Sequence, residues 1–513
     1  MKQLNGEVVR HSTGIAALDN ITCGGLPEGE IYVVNGAPGT GKTILGLHFL
    51  QAGVQVGEKV LCIALSQRVE TLKQTADSVG IDTTGMVFEE FSTMQALEIT
   101  ARQQTVFDTS EIELEETMTQ FTKIIEAVQP QRVVFDGISY LRMLANDTVV
   151  YRRNLLLLRD YMYNRNITVL LTDTPEMAPG DRELVAITHG IITLSKVTSP
   201  YGQDYRYVQV SKIRGTGFQS GVHDMEITNQ GMKVYPLYPF THQDSDFVLH
   251  TGNASKRTHQ RISSGIESLD KLIGGHLLTG TSCLLIGPSG TGKTTVATSF
   301  IHNFIRQGGK ASIFLFDELA STFLERSQGL GMLPKQISDS GQLRIHELGL
   351  SKSNPGKFTY LIDQEIKKWG AKVVLIDSLT GYGNSMPSNQ KLITQLHDLL
   401  IALNQQNVLT LLVVVAQHGV IGNQLQEDID ISYLADAVLL LRHFESQGAL
   451  HRAIGVYKKR YGAHETRIRE VQLNSSGIHI GQPLEQFSGI LSGIPNYVGD
   501  TQTLMNNTHE PTD

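Results

Sequence analysis

Short unbroken apolar runs recur along this chain, each closed by a polar turn and separated from the next by a longer helical stretch. In the first half they are Ile31–Val34, Lys59–Leu65, Arg132–Asp136 and Ile167–Thr172. In the second half they are Ser282–Ile286, Ser312–Phe316, Lys372–Asp377 and Val408–Val415, with another at Ala437–Leu441. A strand apolar at nearly every residue is buried on both faces, as in a parallel sheet covered by helices. The pattern therefore predicts an α/β protein of β-α units around mainly parallel central sheets, with ligands at the carboxyl ends of the strands.

The pattern occurs twice. Thr13–Asp19 followed by Gly24-Gly25 is matched by Ser264–Asp270 followed by Gly274-Gly275, and each pair precedes a glycine-rich loop. Strands ending in Asp136 and Asp377 follow in the same order, and basic segments at Lys212-Ile-Arg214 and Lys458-Lys-Arg460 close each half. Landmarks offset by roughly 250 residues indicate a tandem duplication of one domain. A chain of 513 residues also exceeds what one core usually organises. The expected division is 1–246, a polar linker at 247–259, 260–498 and a mobile polar tail at 499–513.

The glycine-rich loops carry the most specific chemistry. Gly36-Ala-Pro-Gly39-Thr40-Gly41-Lys42-Thr43 and Gly287-Pro-Ser-Gly290-Thr291-Gly292-Lys293-Thr294 both read G-x-x-x-x-G-K-[ST]. Glycines let backbone N–H groups curl around a polyphosphate, and the following helix adds its positive end. Lys42 or Lys293 reaches the outer phosphates, Thr43 or Thr294 holds Mg²⁺, and Thr295 extends the second loop. Asp136 and Asp377 stand where a carboxylate supports the Mg²⁺ shell, although a strand-end aspartate is also a common turn former.

Hydrolysis needs a group that activates water after the strand following the loop helix, and here the halves differ. The second offers Asp317-Glu318 as catalytic carboxylates; the first offers Ser66-Gln67, and glutamine can orient a water but cannot take its proton. Lys212 with Arg214, and Lys458 with Arg460, are spaced to share one face of an extended strand and to reach a γ-phosphate across a subunit boundary. Their ordinary alternative is the charged edge of a solvated strand.

Composition adds boundaries. With 40% hydrophobic and 18% charged residues and a formal net charge of −8, the chain reads as a cytoplasmic protein without a membrane span, and nucleic acid is an unfavoured partner. Cys23, Cys62 and Cys283 lack metal-ligand spacing and read as reduced thiols.

Together the loops, the duplication and the terminal K-x-R elements resemble the RecA-like P-loop NTPases, and the tandem form is similar to the KaiC family of circadian-clock ATPases and autokinases. The [ST]-G-I-x-x-L-D lead-in, Lys458–His464, Ile468-Arg-Glu470 and Ser492-Gly-Ile-Pro495 carry this resemblance over nearly the whole chain. It implies two tandem RecA-like domains, homohexameric two-tiered rings with ATP between subunits, and an ATPase first tier above a slow serine/threonine autokinase. It further implies that Lys458, Arg460 and His464, and in the first tier Lys212 and Arg214, touch the neighbour's ATP. The phosphoacceptors fall at Ser432-Tyr433, and a KaiB-like thioredoxin-like protein is the implied partner. Ser66-Gln67 replaces two glutamates of the family pattern, Phe218 stands near a position where the family has a histidine, Tyr433 replaces a serine or threonine, and the tail after Ser492 is short. These departures point to a divergent paralogue. A DNA-dependent RecA-like ATPase and a nucleotide-gated signalling scaffold remain the alternatives.

Overall fold

A computed structural model describes residues 3–4, 7–91, 109–145, 148–174, 186–198, 204–237, 258–349, 354–384, 392–415, 432–446, 448–475, 477–490 and 496–497. The chain divides into two compact units, Met1–Pro239 and Phe240–Asp513. All but the last two residues of the expected linker, and the whole expected tail, lie outside the described residues.

Among the described residues each unit is built on a nine-stranded sheet. In the first, the order is 231–235, 223–228, 204–213, 190–198, 31–36, 168–173, 132–136, 60–64, 86–90. The six strands from 190–198 to 86–90 run parallel, and the other three extend the edge as an antiparallel meander. The second unit repeats this: 343–347, 311–315, 373–377, 409–415, 282–287 and 437–446 are parallel, followed by antiparallel 449–459, 469–474 and 477–483. The duplication read from sequence landmarks thus extends to strand order, and both sheets are mainly parallel α/β assemblies of the RecA-like type.

Successive residues of a strand face opposite sides, so every central strand feeds two cores. Tyr32 and Val34 pack with Leu45 and Phe49 of the loop helix Lys42–Gln55, while Ile31 and Val33 pack with Phe121 and Phe135 on the other face. Likewise Cys283 and Leu285 meet Phe300 and Phe304 of helix Lys293–Arg306, and Leu284 and Ile286 meet Phe358 and Leu396. Burial on both sides fixes the strand that carries each loop, and so fixes where the loop opens. Cys62 and Cys283 are buried free thiols, and Cys23 is an exposed one.

Candidate nucleotide sites

Each loop leaves its strand at a glycine and enters its helix at another. Gly39 and Gly41 have φ of +77° and +105°, and Gly290 and Gly292 have +77° and +96°, a region that L side chains rarely occupy. Gly41 and Gly292 are the N-caps, and neither provides a side-chain cap, so the first-turn amides keep their donor capacity for an anion. Thr40 donates to the Ala37 carbonyl at 2.8 Å and Thr291 to the Pro288 carbonyl at 2.9 Å, closing each loop on itself. Thr295 is buried in the first turn of its helix.

The two lysines lie across their loops. Lys42 Nζ donates to the carbonyls of Gly36 and Ala37 at 2.6 and 3.1 Å, and Lys293 Nζ donates to Pro288 at 2.7 Å. Burial lowers the pKa of Lys42, opposed by Asp136 and Asp173. Burial brings Lys293 down to about 8, opposed by Asp377. Bound polyphosphate would relieve that cost, because it supplies the counter-charge each buried ammonium lacks.

The strand-end aspartates meet the loop threonines. Thr43 Oγ1 donates to Asp136 at 3.0 Å, and Thr294 Oγ1 donates to Asp377 at 2.6 Å. Hydroxyl and carboxylate oxygens side by side at the phosphate loop are the hard donors that Mg²⁺ prefers. Asp377 is pushed up to about 6, first by burial and next by Glu318, against the Thr294 hydrogen bond, Arg326 and Lys293. A carboxylate that is costly to ionise in the metal-free state is well matched to a divalent cation.

At the water-activating positions the halves diverge in geometry as well as composition. Glu318 is gripped by Arg326 of helix Ala320–Gly329 through two hydrogen bonds at 2.8 and 2.7 Å, a bidentate arrangement that fixes the carboxylate's plane. Asp317 accepts the Ser378 hydroxyl, which in turn accepts the Gly381 amide at 3.0 Å. In the first unit Gln67 turns inward, its amide donating to Asp136 at 2.7 Å. The helix position corresponding to Arg326 is Thr75, whose hydroxyl is spent on the Thr71 carbonyl at 2.8 Å. Phe218 packs against the first core.

The K-x-R pairs do not join their own loops. Strand Ser282–Gly287 ends at the second loop, but its first residue, Ser282, is bonded to Asp436, whose carbonyl accepts the Arg460 amide at 2.8 Å. Arg460 also donates to the Tyr433 carbonyl at 2.9 Å, and Lys458 to the Ser432 carbonyl at 3.1 Å. These groups therefore sit at the opposite end of a six-residue strand from the loop, about 17 Å away at the rise of a parallel strand. The first unit repeats the arrangement, with Arg214 on the Ala186 carbonyl at 2.8 Å and Lys212 on Thr188 at 2.9 Å, beside the first residue of strand Ile31–Gly36. His464 is half-buried in the segment that Glu465 anchors to the Leu272 carbonyl at 3.0 Å.

Sequence reasoning missed three contacts, made by four residues it did not select. Thr172 donates to Asp136 at 2.9 Å, Arg142 pairs with Asp173 at 3.2 Å, and Arg326 holds Glu318. The signal for the first two lay in Thr172-Asp173, which close a strand whose counterpart ends in valines.

Comparison with known proteins decides the family. A model of the KaiC ATPase matches residues 11–238 and again 262–485. The chain belongs to the KaiC family. It is 25% identical to the circadian clock oscillator protein KaiC of Acaryochloris marina over 499 residues, covering 96% of this chain and 92% of the relative. It is likewise 25% identical to circadian clock protein KaiC3 of Synechocystis over 500 residues, covering 96% and 95%. Against KaiC of Prochlorococcus marinus the identity is 24% over 505 residues, covering 97% of each. Among the described residues no helix is long and apolar enough to cross a membrane. Nor does any group of three or more His, Cys, Asp or Glu residues there suit a metal ion.

Proposed function

We propose that this KaiC-family ATPase is a ring-forming protein with two unequal nucleotide sites. The second unit hydrolyses ATP and phosphorylates its own chain at Ser432, and the first holds ATP chiefly as an assembly ligand with weak turnover. One observation carries the proposal. In each unit the phosphate loop and the K-x-R cations lie at opposite ends of the same strand, so a nucleotide can meet both only between two copies of the chain.

Mg²⁺ fits beside Thr43 and Asp136 and beside Thr294 and Asp377, and when bound it neutralises charge on the β- and γ-phosphates. The chain's own groups do the rest. Glu318, aimed by Arg326, accepts the proton of the attacking water or hydroxyl, and Lys293 tracks the charge that develops on the transferred group. Lys458 and Arg460 of the adjacent copy release their own carbonyls and turn to the γ-phosphate. The segment they release contains Ser432, which reaches the neighbour's site while remaining far from its own. Tyr433 is 52% exposed, and its longer side chain overshoots the in-line position, so Ser432 is the main acceptor. The protein is expected in the cytoplasm, with a KaiB-like partner on the assembled ring.

Phosphate release and sedimentation test the proposal. Read per assembled ring, Lys293→Ala should remove most turnover and Lys42→Ala little of it, whereas withdrawing Mg-ATP, or Lys42→Ala alone, should shift the assembly equilibrium toward smaller species. Equal turnover by both variants, or a ring indifferent to nucleotide, contradicts it.

A further inference from the structure

The half that lacks a carboxylate at the usual water-activating position has one elsewhere. Asp173 ends strand Thr168–Asp173 and pairs in register with Asn35, the residue before Gly36 of the first loop. Its side chain is only 6% exposed and pairs with Arg142 at 3.2 Å. Arg142 stands six residues after Asp136 in helix Ser139–Ala145, with Tyr151 under its guanidinium at 5.7 Å. In the second unit the residue in register with Ile286, the counterpart of Asn35, is Val414, and the residue six after Asp377 is Gly383.

The two units thus have complementary equipment. The second carries an arginine-held carboxylate, Glu318, after the strand that follows its loop helix; the corresponding positions of the first are Gln67 and Thr75. The first carries an arginine-held carboxylate, Asp173, at the end of the strand flanking its loop; the corresponding positions of the second are valine and glycine. Neighbouring parallel strands lie about 4.8 Å apart, so a side chain at that strand end is next to the loop's phosphate cradle.

We propose that Asp173 is the proton acceptor of the first nucleotide site, positioned by Arg142, and that it supports the slow turnover there. Water oxygen attacks the γ-phosphorus of Mg-ATP, and the bond to the β,γ-bridging oxygen breaks with its electron pair passing to ADP. The water's proton passes to the Asp173 carboxylate and then to solvent. Aspartate is one methylene shorter than glutamate and reaches less far toward the attacking water, which makes the site slow. This rests on the reading that the first loop binds Mg-ATP.

The test uses the full-length chain with Lys293→Ala, so that only the first loop turns over, and reads both phosphate release and the ATP-to-ADP ratio of bound nucleotide. Adding Asp173→Asn should cut phosphate release by about 10²-fold or more and leave the site filled with ATP instead of ADP. Asp173→Glu should retain turnover, and Gln67→Glu should restore it to Asp173→Asn, showing that the site is otherwise folded. Turnover by Asp173→Asn within about threefold of its parent overturns the inference, as does a parent that holds ATP without hydrolysing it. A parent that holds no nucleotide overturns the first-site reading as well.

Discussion

Replacing Asp377 by Asn should stabilise the second unit while abolishing its function. In metal-free protein the Asp377 carboxylate is held at about 6, against an ordinary value of 3.8, chiefly by burial. Because the folded pKa lies above the unfolded one, the native state gains a proton between those values and stability falls as pH rises through that window. The full penalty is present above pH 6. A shift of about two units corresponds to roughly 3 kcal/mol at pH 7.5 and about half of that at pH 5. Asparagine avoids the charge and still offers an oxygen to Thr294 Oγ1, which now donates at 2.6 Å. Trp369, the sole tryptophan, lies in the second unit with Arg344 over its ring at 4.5 Å, so its emission follows that unit's unfolding. Urea melts with EDTA and no nucleotide should show Asp377→Asn ahead by up to roughly 3 kcal/mol at pH 7.5, with the lead shrinking toward pH 5. Added Mg-ATP should stabilise only the wild type in a Lys42→Ala background. A variant no more stable than wild type at pH 7.5, or a gain independent of pH, refutes the reasoning.

Arg326→Gln, read in a Lys42→Ala background, should slow turnover about tenfold at unchanged KM, and should cost nothing further in Glu318→Gln, because it acts through that carboxylate. Equal losses in both backgrounds would make Arg326 merely structural. Glu318→Gln itself should lower turnover by about 10²–10⁴-fold while leaving nucleotide binding intact, measured with a fluorescent ATP analogue. His48 is buried with its pKa brought down to about 4, and its Nε2 accepts the Met232 amide at 2.9 Å. Since the folded pKa is depressed, its contribution is complete above pH 6.5 and lost as pH falls toward 4, by about 2 kcal/mol at pH 5. Near-UV circular dichroism melts of wild type against His48→Gln should show this difference in slope for the first unit.

The parallel core of each sheet was legible because strands buried on both faces announce themselves as apolar runs, and the loops because their glycines serve a backbone shape that few other residues allow. The antiparallel extensions were not. Strands 204–213 and 449–459 carry exposed and half-buried residues, and their pairing depends on register shifts at Ile191/Ile192 and Val438/Leu439 that no local pattern signals. Thr43–Asp136 and Thr294–Asp377 were anticipated because motif and strand end converge on one chemistry. Arg326 and Asp173 escaped because each pairs across elements: Glu318 and Arg326 are eight residues apart, Arg142 and Asp173 thirty-one. The K-x-R pairs are visible in the sequence as cations late in each half, yet only the sheet reveals that they lie at the far end of the strand from their own loops.

The central claim is that the second unit transfers phosphate to Ser432 of an adjacent copy, and peptide mapping by mass spectrometry after incubation with Mg-ATP addresses it directly. Wild type should carry phosphate on Ser432, with little on Tyr433; Ser432→Ala and Lys293→Ala should each abolish it. A mixture of Lys293→Ala with Ser432→Ala should recover it on the Lys293→Ala chains, since donor loop and acceptor belong to different copies. Phosphate that persists in Lys293→Ala alone, or that never appears on wild-type Ser432 or Tyr433, contradicts the account.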